Sequence, residues 1–246
     1  MSPPQDEAMS GKPAKPRKMA APKSDAPRVE KKDGAEKKDH AALKAAVLAA
    51  ALKDAAFDGF TDKVLQKAGV EAGADAAALA RLFPDGPLSL IEYYSFHADA
   101  EMEKVLAGLN LPGRKIRERI KLAVLTRLSI LRSHKEAARR AAALLSLPMH
   151  AALGAKLLYA SVDAMWRAAG DTSTDFNFYT KRGILAGVYG SVLVRWFNDT
   201  SEDESATTAF LDARIENVMQ FEKFKAKAKE ALSNFPAFAD WRKTKS

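Results

Sequence analysis

From His40 onward, apolar residues recur three and four positions apart, and no β-branched run alternates with polar residues. That period predicts helices throughout and an all-α fold. The spacing predicts them over 40–57, 61–68, 75–82, 87–108, 113–132, 134–146, 149–169, 175–197, 204–221 and 222–234. Punctuation agrees: Pro84, Pro87, Pro112 and Pro148 stand at or near helix starts, and Gly59, Gly69, Gly108 and Gly170 stand just past helix ends.

Residues 1–39 break the pattern. They repeat Pro, Ala and Lys without an apolar run, and they read as a disordered arm. Ten Lys/Arg against seven Asp/Glu place only three of the chain's eight net positive charges there. The arm has neither the apolar core of a secretory signal nor the acid-poor composition of a transit peptide. The rest divides into a helical domain at 40–221, with 40–86 set apart from a bundle at 87–221, and a tail at 222–246.

Composition narrows the chemistry. The chain has no cysteine, so disulfides, thiolate metal sites and cysteine nucleophiles are excluded. Its four histidines, His40, His97, His134 and His150, are scattered rather than spaced as ligands, so no metal or cofactor is expected. No stretch reaches 18 uninterrupted apolar residues. The basic balance points to an anionic partner, either nucleic acid or a lipid head-group surface.

The nucleic-acid reading meets its test in "FDGFTDKVLQKAGVEAGADAAALARLFPDGP", two short helices joined by a glycine-containing turn. The outline is that of the amino-terminal domain of TetR-type regulators, but the second helix offers alanines beside Glu71 and Asp75, with Arg81 its one long donor. A reading helix needs Arg, Lys, Asn or Gln facing bases and phosphates. A TetR-type regulator with a small-molecule pocket is therefore the alternative, without specific nucleic-acid binding as the main expectation.

The densest polar stretch is "GDTSTDFNFYTKRG", residues 170–183. Ser173 or Thr174 suits a helix cap, and Asp175 suits the first turn. Asp171 with Asp175 is the one candidate acid–base pair, but no nucleophile, ligand cluster or phosphate loop joins it, so catalysis is not expected. Capping leaves Phe176, Phe178 and Tyr179 unexplained, because one apolar stripe cannot hold all three directions. Further on, Gly183, Gly187 and Gly190 share a face, which implies either close approach of another helix or room for a ligand.

These blocks carry a family resemblance. "GDTSTDFNFYTKR", with "FPDGP", "IRERIKLAVLTRL" and "FLDARIENVMQ", is similar to the ubiquinone-biosynthesis accessory family known as the ninth Coq protein, over roughly residues 40–225. The resemblance implies a TetR-like, usually dimeric fold that has exchanged DNA for lipid. It implies a non-enzymatic protein with a pocket for phospholipid or isoprenoid quinone intermediates, and a patch that engages the di-iron hydroxylase acting on demethoxyubiquinone. By motif, that patch falls on Met165, Asp175, Phe178 and Tyr179. Phe178 departs from the family's tryptophan and lacks its indole N–H. Candidate pocket walls are Leu153, Leu157, Leu158, Val162, Ile184, Leu185, Val188, Leu193, Phe210 and Ile215.

The family's terminal membrane helix has a counterpart in "QFEKFKAKAKEALSNFPAFADWRK". Phe221, Phe224, Ala228, Leu232 and Phe235 form a stripe flanked by Lys223, Lys225, Lys227 and Lys229, with Trp241 beyond Pro236 as an interfacial anchor. The expected location is the cytoplasm of a bacterium, peripheral on the inner membrane, with the matrix side of the mitochondrial inner membrane as the alternative.

Overall fold

The computed structural model describes residues 27–173 and 176–233, and every described element is helical. The helices are α1 (Pro27–Asp58), α2 (Asp62–Glu71), α3 (Ala76–Leu82), α4 (Pro87–Ala107), α5 (Ile116–Leu131), α6 (Lys135–Leu145), α7 (Ala151–Ala168), α8 (Phe176–Phe197) and α9 (Ser205–Ser233). Short 3₁₀ turns, Arg132–His134 and Pro148–His150, lead into α6 and α7.

Two boundaries differ from those the sequence predicts. Helix α1 starts at Pro27, inside the stretch assigned to the arm. Proline suits a first helical position, where its missing N–H has no partner to lose, and the Val, Glu, Lys and Ala that follow tolerate a helix. At the other end, the predicted helices 204–221 and 222–234 are one helix, α9. No glycine or proline interrupts "MQFEKFKAK", so nothing stops propagation at the supposed tail boundary.

The chain divides into compact units at residues 1–40 and 41–246, and the core belongs to the second. Local chemistry sets its helix ends. Thr61 accepts from the Val64 N–H at 3.3 Å to cap α2, and Asp75 accepts from the Ala78 N–H at 2.6 Å to cap α3. Gly86, at φ +57°, turns the chain into Pro87 at the start of α4, a backbone angle that suits glycine. Asp199 accepts from the Thr207 N–H at 2.7 Å and from the Ser201 N–H at 3.0 Å, tying the loop before α9 to its first turn. The Ser201 and Thr207 hydroxyls donate to the same carboxylate, and together with these N–H groups they outweigh burial and hold the Asp199 carboxyl well below the usual carboxylate range.

Helices α4, α5, α7 and α8 pack side by side around Leu90, Ile91, Met102, Val124, Leu128, Val162, Met165 and Trp196, and α9 lies against α5 and α8. Trp196 is fully buried, and its indole N–H donates to Glu204 at 2.7 Å, which ties the end of α8 to the turn before α9. No single described helix is long and apolar enough to cross a membrane.

Candidate functional site

The bundle encloses a cavity of about 380 Å³ between α4, α5, α6, α7 and α8. Its upper wall is apolar and built from small and medium side chains: Ala138, Ala141 and Ala142 on α6, Leu157 and Leu158 on α7, Leu193 on α8. The alanines leave space where larger residues would close it. Ser146 and Val194 at the rim are exposed, while Ile91, Tyr94, Arg127, Ser161 and Tyr189 at the floor are all buried, so the cavity has a defined mouth and a defined deep end.

The floor is polar. Arg127 of α5, 5% exposed, donates through Nε to Asp99 of α4 at 2.6 Å, through Nη1 to the Tyr189 hydroxyl of α8, and through Nη2 to the Ser95 hydroxyl at 3.0 Å. Asp99 accepts a second bond from Ser161 of α7 at 3.0 Å. One cation and one carboxylate, each with several hydrogen bonds, cross-link four helices, the condition under which a buried ion pair is tolerated. Burial opposes the charge on Arg127, but Tyr189 and Asp99 outweigh it and hold the guanidinium above its ordinary range. Burial pushes the Tyr189 and Tyr94 hydroxyls up, so both stay protonated. Among the described residues, the Tyr94 hydroxyl has no hydrogen-bond partner.

Helical periodicity puts a second cavity, about 320 Å³, on the opposite side of α8. Ile116, Ile120, Ile184, Leu185, Val188, Ile215 and Met219 line it, with Arg117, Lys181 and Lys225 as its cations. A wider groove, lined by Gly187, Ser191, Arg214 and Phe221, shares Ile184, Val188 and Val218 with this cavity.

The ten residues expected to wall one pocket therefore do not meet. Leu157, Leu158 and Leu193 line the first cavity, while Ile184, Leu185, Val188 and Ile215 line the second. Val162 is fully buried core, and Leu153 and Phe210 pack on the core without lining either space. Apolar spacing marks a stripe as inward-facing but carries no information about which inward residues touch a void. The floor residues were missed although the sequence holds a signal for them. Asp99 falls on the stripe Ser95–Asp99–Met102–Leu106, and Arg127 falls on the stripe Ile120–Val124–Arg127–Leu131. Opposite charges on two core stripes call for each other.

In the stretch 170–183, Asp171 is a structural anchor. Its carboxylate is 5% exposed and accepts from Ser173 at 2.6 Å, Lys181 at 2.9 Å and Arg182 at 3.1 Å. Burial opposes the charge, but these three donors outweigh it and bring the carboxyl down to about 2. Arg182, 2% exposed, also donates to Asp163 at 2.7 Å, and its guanidinium lies 3.4 Å from the Phe178 ring centre. Ser173, one of two expected caps, is engaged with Asp171 and Lys181. Thr174 and Asp175 lie outside the described residues.

The expected partner patch is only partly a surface. Tyr179 is 66% exposed and stands edge-on to the half-buried Phe178, ring centres 5.1 Å apart. Met165 is fully buried between α7 and its neighbours, a correction to its place in that patch: it fills the core. Of the expected membrane residues, Phe221 and Phe224 are exposed at 61% and 70%, as are Lys223, Lys225 and Lys227. The Leu232 side chain, Phe235 and Trp241 lie outside the described residues. An added Cβ at Gly183, Gly187 or Gly190 would meet nothing within 4 Å among the described residues, so no helix of the same chain approaches closely there.

Fold and site together define an all-helical protein with an apolar-walled, polar-floored cavity in its bundle and an exposed aromatic edge along its last helix. Comparison with known proteins narrows that class. A COQ9 family model matches residues 151–222. The ubiquinone biosynthesis protein COQ9, mitochondrial, of Rattus norvegicus is 32% identical over 202 residues, 78% of this chain and 65% of that protein. Its Homo sapiens namesake is 31% identical over 203 residues, 78% and 64%. The COQ9-B protein of Xenopus laevis is 30% identical over 203 residues, 78% and 69%. The chain belongs to the COQ9 family. It spans 65% and 64% of the length of the rat and human relatives.

Proposed function

We propose that this protein serves ubiquinone biosynthesis without catalysis of its own, binding an isoprenoid quinone intermediate in its bundle and presenting it at a membrane to a hydroxylase partner. The observation that carries the reading is the cavity of about 380 Å³, within the range of small-molecule sites and walled by alanine and leucine. Each methylene of a chain buried there contributes about 0.8 kcal/mol, enough to draw a long apolar ligand from water or from a bilayer surface. The names of the relatives support the pathway, and their designation as mitochondrial supports the matrix side of the inner membrane as the location. Asp171, the candidate acid–base group, is held by three donors that fix its charge, an arrangement suited to structure rather than proton transfer.

The membrane contact falls on α9, where Phe221 and Phe224 project with Lys223, Lys225 and Lys227 around them. The hydroxylase contact falls on Tyr179 and Phe178. The open glycine face of α8 suits close approach by a second copy of the chain, the homodimer that the family resemblance implies.

Gentle isolation followed by mass spectrometry of the copurifying lipid tests the reading. An isoprenoid quinone or a phospholipid near one per chain is the expected result. A protein that comes out empty and takes up neither from vesicles would overturn it.

A further inference from the structure

The floor of the first cavity is lined by hydroxyl groups around one guanidinium. Asp99, its one carboxylate, is taken up by Arg127 and Ser161, and the guanidinium is spread over Asp99, Tyr189 and Ser95. Three hydroxyl protons remain. Tyr189 and Ser95 accept from Arg127 and keep their own protons to donate, while Tyr94, 7% exposed, has no hydrogen-bond partner among the described residues. Tyr94, Ser95, Arg127 and Tyr189 all line the same cavity and all but Ser95 are buried, so these hydroxyls belong to one small region at its deep end. A buried hydroxyl without a partner is costly, and such groups are rare in folded proteins unless a ligand or water completes them.

Charge decides what can complete it. The cation of Arg127 is already balanced by Asp99, so the floor has no net charge to offer. A phosphate or carboxylate brought there would be buried without a counter-ion, whereas a neutral carbonyl oxygen brings only the acceptor that the hydroxyls lack. Above the floor, the wall is apolar along α6, α7 and α8 up to the exposed rim, where Ser146 stands with Val194.

We infer that the cavity takes its ligand head first: an uncharged head bearing a carbonyl oxygen accepts from the Tyr94 hydroxyl at the floor, and the apolar chain trails along α6 and α7 to the mouth. This rests on the lipid reading of the same cavity and deepens it. A quinone ring fits that chemistry. A phospholipid offers ester carbonyls too, but its phosphate would have to stay at the mouth, so its carbonyls stop short of the floor.

The full-length protein and its Tyr94→Phe variant test the inference with three probes: a ubiquinone analogue carrying two isoprene units, the oxygen-free hydrocarbon of the same two units, and a short-chain phosphatidylglycerol. The variant removes one unpartnered oxygen, so the empty protein should melt no lower than wild type. Quinone affinity should fall about 5- to 10-fold, the worth of one hydrogen bond, while affinities for the hydrocarbon and the phosphatidylglycerol stay unchanged. The infrared stretch of the bound quinone carbonyl should sit lower in wild type than in the variant. Equal quinone affinity and an unshifted carbonyl in the two proteins would overturn the inference while leaving the lipid reading intact, with water the partner of Tyr94. A Tyr94-dependent loss confined to phosphatidylglycerol would overturn the choice of head. If wild type binds none of the three, the lipid reading fails and takes the inference with it.

Discussion

The two cavities that flank α8 are close in volume and both walled by aliphatic side chains, yet their charges are arranged in opposite ways. In the first, cation and carboxylate are paired at the deep end, where Arg127 and Asp99 are each about 5% exposed, and the mouth carries no charge. In the second, Arg117 stands among the aliphatic residues with Lys181, which donates to Asp171, and Lys225, which lies 3.8 Å from Glu222 of the same lining, beside the stretch of α9 where Phe221 and Phe224 project. A buried charge must be neutralised within the protein, so it organises the helices around it. A charge at the surface is hydrated and stays available to an anionic surface, at little cost to the fold.

The largest test of this contrast is Asp99→Ala. It leaves Arg127 buried without a counter-ion and should cost about 3–5 kcal/mol in chemical denaturation. A loss under 1 kcal/mol would show that the floor is not the keystone described. Next comes Asp171→Asn, expected to cost about 2 kcal/mol at neutral pH. The sign follows from the lowered carboxyl: its contribution is complete above pH 3.8 and disappears as pH falls toward about 2. Acid titration of unfolding should therefore lose part of its slope between those values in the variant, and an unchanged acid limb would contradict the anchoring role.

A third change addresses the space itself. Ala141→Phe places a ring against the first cavity and should alter stability by no more than about 1 kcal/mol, since the volume exists to receive it, while lipid uptake is lost. A packed site would instead lose about 1–3 kcal/mol, so calorimetry of the empty protein separates the two cases. Smallest in stability is Phe224→Glu, which should stay within about 0.5 kcal/mol because the ring is 70% exposed. Its effect belongs in cosedimentation with anionic liposomes, which should fall sharply, and unaltered cosedimentation would remove α9 from the membrane contact.

Much of this architecture could be read from one-dimensional pattern. Seven of the ten predicted helices have counterparts whose ends lie within three residues of the predicted ones, because Pro87, Thr61, Asp75 and the glycines act through neighbours a few positions away. The departures are the start of α1, which runs through Gly34, and the continuous α9, where no local breaker separates the two predicted helices. Tyr179 could be foreseen as outward-facing, since three aromatics crowd one turn. Met165 could not be foreseen as core, because motif identity says nothing about which side of α7 a residue faces once the helices have packed.

The chain's pattern alone carried the all-helical class, the family, the aromatic turn before "TKR" and the lysine-flanked stripe of α9, all of them properties of neighbours within a few residues or of matched blocks. Packing decided the rest. Ser95, Asp99, Arg127, Ser161 and Tyr189 come from four helices and up to 94 positions apart in sequence, and they meet only because α4, α5, α7 and α8 share one core. The same packing separated Leu193 from Val188 into different cavities, since five residues carry the chain about 140° around the helix. A void is defined by side chains that fail to meet, and that is a property of the assembled bundle rather than of any helix within it.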